Sequence, residues 1–142
     1  VQVSALYALW ALSAADDGTR PNDAMARSNV GDGVVDAVLI SMGQHERNPA
    51  VQLAGCGVLS CLASSASRSA DVDDGTSSGA MATILNAMRL HGQSLDVQEW
   101  GLRALYYECS NSDRNKNDFI GSGKGESGGG IDTLRQVSAM FA

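Results

Sequence analysis

Residues 33–63 read GVVDAVLISMGQHERNPAVQLAGCGVLSCLA, two apolar segments of different character joined by a polar turn. The first opens on Gly33 and repeats apolar residues at Val35, Val38 and Met42. The second opens on Val51-Gln52 and carries Val51, Gly55, Leu59 and Leu62 at its first, fifth, ninth and twelfth positions. Steps of three and four place these residues on one face of an α-helix, and neither segment alternates apolar with polar residues as a half-buried strand would. Asn48 offers an N-cap oxygen to the second helix, and Pro49 suits a first helical position, where a missing N–H costs nothing. The first helix is expected to stop near His45-Glu46.

Both segment types recur on either side. Val-Gln segments start at Val1, Val51 and Val97, with Leu9, Leu59 and Leu105 at the ninth position and the small residues Ala5, Gly55 and Gly101 at the fifth. Gly segments are Gly33-Val34-Val35, then Gly79-Ala80-Met81 with Ile84 and Met88, then Gly129-Gly130-Ile131 with Leu134 and Met140. Gly33 to Val51 and Gly79 to Val97 are both 18 residues, whereas the return connections are 32, 28 and 32. A fixed length marks a turn whose geometry matters, and a variable one marks a surface connection. The chain therefore divides into frames 1–50, 51–96 and 97–142, with Ser94 in the capping place of Asn48. The small fifth positions let a neighbouring helix approach closely. The connections are rich in Asp, Gly, Ser and Asn; Ala24-Met25-Ala26 and Asp118-Phe119-Ile120 are candidate short helices. The middle connection is expected to be the most mobile, with Asp71, Asp73 and Asp74 solvated.

The 142 residues are 44% hydrophobic, enough for one domain with its own core. Ten Lys and Arg against sixteen Asp and Glu give a net charge of -6, which opposes nucleic-acid binding and favours a basic partner segment. No apolar run reaches the roughly 18 residues of a membrane span, and the expected location is intracellular, cytoplasmic or nuclear. Cys56, Cys61 and Cys109 cannot all pair and show no zinc-ligand spacing, so free buried thiols are expected.

An alternation of Gly-initiated and Val-Gln helices with a short fixed turn is similar to the armadillo repeat, most clearly in residues 33–63 and 79–108. The resemblance spans the chain, with Val-Gln segments as third helices, Gly segments as second helices, and first helices in the connections. Asn117 through Ile120 resembles the first-helix pattern, and Asn22 through Val30 is a weaker counterpart. The family implies an all-α, right-handed superhelical solenoid of about three repeats, without cofactor or catalytic site. Its concave groove, lined by third helices, would bind a protein or extended peptide. The residues expected there are Tyr7, Trp10 and Ala14, then Gly57, Ser60 and Cys61, then Glu99, Arg103, Tyr106 and Tyr107. Members of the family that bind nuclear signals carry a Trp and, four residues later, an Asn on each third helix. The matching pairs here are Tyr7 and Ala11, Gly57 and Cys61, Arg103 and Tyr107, so that amide ladder is absent. Protein scaffolding is the leading expectation; a structural subunit buried in a larger assembly is the alternative. Val1, Ala5 and Leu9 at one end and Leu134, Val137 and Phe141 at the other read as core-like, which suggests a segment of a longer array or end-to-end self-association.

Other motifs fall short of their chemistry. Lys124 in Gly121-Ser122-Gly123-Lys124-Gly125 is not followed by Ser or Thr as a phosphate loop requires, and Asp71 to Ala82 lacks the twelfth-position Glu of a calcium loop. His45 and His91 share a repeat position but lie about 10 Å apart by helix packing, too far to share an ion, and suit helix C-termini as cations. No carboxylate pair or Cys–His pair converges, so catalysis is not expected.

Overall fold

Asn48 closes the first turn of the helix that follows it, its Oδ1 accepting from the backbone N–H groups of Ala50 at 3.0 Å and Val51 at 3.4 Å. Ser94 does the same in the next frame, accepting from Val97 at 3.5 Å. The computed structural model describes residues 2–13, 30–66, 76–121 and 130–141. Its helices are α1 (Gln2–Ser13), α2 (Val30–Gln44), α3 (Pro49–Ala66), α4 (Thr76–Leu90), α5 (Leu95–Asn111), α6 (Asp113–Ile120) and α7 (Gly130–Met140). The protein is all-α, with no strand among the described residues.

Three expected helix starts move. α2 and α4 begin three residues ahead of Gly33 and Gly79, so these glycines lie within the first turns and do not initiate the helices. The short helix expected around Asp118 begins at Asp113, because Ser112 caps it by accepting from Asn115 N–H; it ends at Gly121, whose φ of 77° is a left-handed cap suited to glycine. Val1, Ala14, the segment from Asn22 to Asn29 with Ala24-Met25-Ala26, Asp71, Asp73, Asp74 and Lys124 lie outside the described residues.

Helices of one sequence type pack on each other in chain order: α1 on α3 and α3 on α5, then α2 on α4 and α4 on α7. Each of the first two Gly helices also packs on the Val-Gln helix that follows it. α6 lies against α5 and α7. Val38, Met42, Ile84 and Met88 from the Gly helices meet Val51, Val58, Leu59, Val97 and Leu105 from the Val-Gln helices in one core.

The fixed 18-residue spacing has a specific cause. Gln52 Nε2 donates to the Met42 carbonyl at 2.9 Å, an orphan acceptor in the last turn of α2, and to the His45 carbonyl at 3.0 Å, which also accepts from Asn48 N–H in the turn that follows. Gln98 Nε2 repeats this on Met88 at 2.8 Å and His91 at 3.1 Å at the end of α4. An insertion in the turn would break both bonds. His91 Nε2 also lies 2.7 Å from the Glu46 carbonyl, tying one turn to the turn of the preceding frame.

The small fifth positions also have a defined partner. A Cβ at Gly101 would stand 2.7 Å from Met88 Cγ and 2.8 Å from its sulfur, and at Gly55 it would collide with Met42 in the same way. The close approach is thus between each Val-Gln helix and the Met of the Gly helix just before it. Ala5, at the same position of α1, is exposed.

Candidate functional site

Counted from Val51, the seventh position of the second Val-Gln segment is Gly57 on α3, and the space above it belongs to Trp10 of α1: a Cβ there would run into the indole ring. With no side chain in the way, the Trp10 ring lies directly on α3 and reaches across it to α5. There it meets Trp100 edge-on, with ring centroids 4.5 Å apart and planes at 82°. Tyr7, one turn earlier on α1, stacks with Trp10 at 5.9 Å and 23°. Arg103, one turn after Trp100, holds its guanidinium carbon 4.5 Å from the Trp100 ring centroid, a cation–π contact. Glu99 Oε1 lies 3.5 Å from Arg103 Nη2, an exposed pair that steers the guanidinium more than it stabilises the helix. Two helices, α1 and α5, thereby share one ridge running Tyr7, Trp10, Trp100, Arg103 across Gly57 of α3. Tyr7 and Arg103 are solvent-exposed and the two indoles are half-buried.

Three residues expected to line an open groove do not. Gly57, Ser60 and Cys61 are buried, because the stacking of α1 and α5 on α3 leaves the middle helix no free face. Cys61 instead supports the ridge from below, its thiol hydrogen-bonded to the Trp10 side chain. Burial raises the Cys61 pKa, opposed by that hydrogen bond and by the positive charge of Arg103.

Tyr106 and Tyr107 form an edge-to-face pair at 5.2 Å, but Tyr106 turns to a different surface. It lines an apolar cleft of about 320 Å³ between α5 and α6, with Leu102, Cys109, Phe119 and Ile120. Sequence reasoning thus merged two surfaces. It also missed Trp100, which can be found by its helical spacing: three residues before Arg103, it must share that residue's face.

Glu108 carries no sequence signal of its own. It is buried on α5, and its Oε2 accepts from Asn115 Nδ2 at 3.4 Å, while the same amide donates to the Glu108 carbonyl at 3.2 Å. Burial pushes its carboxyl up to about 7.

The three cysteines form no disulfide, but Cys109 is half-buried and not sequestered like the other two. Burial raises the Cys56 thiol to about 12, and burial with the neighbouring Glu108 raises that of Cys109 against the opposing Lys116. These environments suppress the thiolate and its nucleophilicity. Among the described residues no group of three His, Cys, Asp or Glu side chains is placed to hold a metal ion. No described helix is long and apolar enough to cross a membrane. What the ridge offers is recognition chemistry: two indoles, a phenol and a guanidinium on a rigid helical support, the residue types that dominate binding hot spots. No known family model, no characterised protein and no solved structure matches the chain.

Proposed function

We propose that the protein is a noncatalytic binding module, an armadillo-like right-handed solenoid that takes a protein or extended peptide on the face carrying Tyr7, Trp10, Trp100 and Arg103. The observation that carries this reading is the Trp10–Trp100 contact over Gly57, which concentrates aromatic surface at one place and leaves Tyr7 and Arg103 exposed beside it. A net charge of -6 favours a partner with basic side chains, and Glu99 places an exposed carboxylate beside Arg103 on this face.

Both tryptophans of the chain belong to the ridge, so intrinsic fluorescence reports on it without a label. Titration with synthetic extended peptides, one set rich in Lys, Arg and aromatic residues and a matched set with Glu and Asp, should give a saturable change with the basic-aromatic set. Arg103→Ala should weaken that binding about tenfold or more, as removal of a hot-spot residue does. Peptide binding that is unchanged in a Trp100→Ala/Arg103→Ala double variant overturns the reading, as does an absence of binding by either set.

The second reading, a structural subunit held within a larger assembly, is favoured by a separate observation. Leu102, Tyr106 and Ile120 are exposed together away from the ridge, where a permanent neighbour would cover them.

A further inference from the structure

Trp10 covers Gly57 because the tenth residue of one Val-Gln segment leans over the seventh residue of the next. One step on, between α3 and α5, the same two positions hold Ser60 and Arg103. Ser60 is buried and has no ring to lay over its neighbour, so Arg103 is left exposed by a small residue within the stack. Trp10 itself reaches past Gly57 to Trp100, and Trp100 meets Arg103. Tyr7, Trp10, Trp100 and Arg103 therefore form a ladder of flat groups, each in contact with the next, that ends on a guanidinium.

A guanidinium is planar and has two faces on which a ring can stack. Trp100 takes one, and among the described residues it is the one ring that Arg103 meets. Glu99 Oε1 lies 3.5 Å from Nη2, at the rim of the same group, and the Arg103 side chain is still 42% exposed. Charge decides what the second face takes. A partner's Lys or Arg would meet like charge at Arg103, and a partner's carboxylate would meet Glu99 on a chain of net charge -6. A neutral aromatic ring meets neither repulsion, since its electron-rich face attracts the cation and its apolar surface leaves water on stacking.

We infer that Arg103 takes an aromatic side chain of the bound peptide on its open face, so that the guanidinium is held between Trp100 and the partner's ring. The partner is then an extended peptide in which an aromatic residue, not a basic one, meets Arg103. This rests on the peptide-binding reading of the same face and adds to it the identity of one contact.

The test uses the full chain, its two tryptophans as the signal, and two sets of peptides. One set is rich in Lys and Arg with phenylalanine as its aromatic residue; the other is the same with cyclohexylalanine, which keeps the apolar bulk and has no π face. The phenylalanine peptides should bind the unaltered chain about fivefold more tightly. Arg103→Met keeps a long side chain and removes the planar cation, and it should bring the two sets to equal affinity. Position 103 is exposed, and far-UV circular dichroism matching the unaltered chain confirms that the variant folds. Equal affinity of the two sets for the unaltered chain overturns the inference and leaves the peptide-binding reading in place. A preference for phenylalanine that persists in Arg103→Met also overturns it, because the ring would then stack elsewhere on the ridge. If neither set binds, the inference and the reading beneath it fall together.

Discussion

Gln52 and Gln98 are each buried, each donate two bonds to the end of the preceding helix, and occupy one repeat position. Gln98 Oε1 is buried with no hydrogen-bond partner, so the amide is held there for its donors and the oxygen is the cost. Gln98→Met keeps the volume and removes the donors, leaving the Met88 carbonyl buried and unpaired. It should destabilise the fold by about 2–3 kcal/mol in denaturant unfolding, and Gln52→Met should do the same. Glu108 makes a different prediction. Its folded carboxyl titrates near 7 against an ordinary 4.5 because burial disfavours its charge. Between those values the folded state holds more protons than the unfolded state, so stability falls as pH rises through the window. The contribution is fully present below about pH 4.5 and lost above about pH 7, an effect on the order of 3 kcal/mol. Glu108→Gln retains an acceptor for Asn115 and has no charge to bury. Its unfolding free energy should be flat through this window and higher than that of the unaltered chain at pH 8; an unchanged pH profile would place the titration elsewhere.

At the scale of helices, the packing unit is a Met of one helix seated on a Gly of the next, Met42 on Gly55 and Met88 on Gly101. Gly101→Leu should overpack this contact by about 1–3 kcal/mol. In a Met88→Ala background the added side chain enters the vacated space, so the double variant should lose less stability than the two single losses combined. Strict additivity in a double-mutant cycle would show that Met88 is not what confines position 101. This contact also marks how far sequence reading carries. The helix identities and the caps at Asn48 and Ser94 are legible because each is set within a few residues along the chain, whereas the need for small residues at Gly55 and Gly101 is legible only from their recurrence, since their partners Met42 and Met88 are on another helix. The two hydrogen bonds of the Gln52 amide are present only as a recurring Val-Gln pair and an 18-residue spacing, since their acceptors are on the preceding helix and turn. The site is half legible. Tyr7, Trp10 and Arg103 follow from helical position, but the burial of Gly57, Ser60 and Cys61 depends on α1 and α5 covering α3 from both sides. The departure of Tyr106 from the ridge depends likewise on α6, which starts at Asp113, ahead of the apolar residues that mark it in the sequence.

At the scale of the molecule, packing is richest in the middle. α3 contacts α1, α2, α4 and α5, and every residue from Val51 to Ala63 except Leu53 is buried. α1 rests chiefly on α3, and α7 rests on α4 and α6. When each helix is stabilised by its neighbours in a line, opening an end breaks one interface, whereas opening the centre breaks two. Native-state hydrogen exchange should therefore be graded by position. Amides of α3 should exchange only through global unfolding, and those of α1 and α7 at least tenfold faster, a difference of about 1.4 kcal/mol or more in opening free energy. The Trp10–Trp100 contact crosses this gradient, because it fastens α1 to α5 over Gly57. Trp100→Ala should accordingly increase exchange in α1 more than in α7, although position 100 is on α5. Equal protection along the whole chain would mean that the helices open as one cooperative unit and that the ridge contributes no separate tether to its first helix.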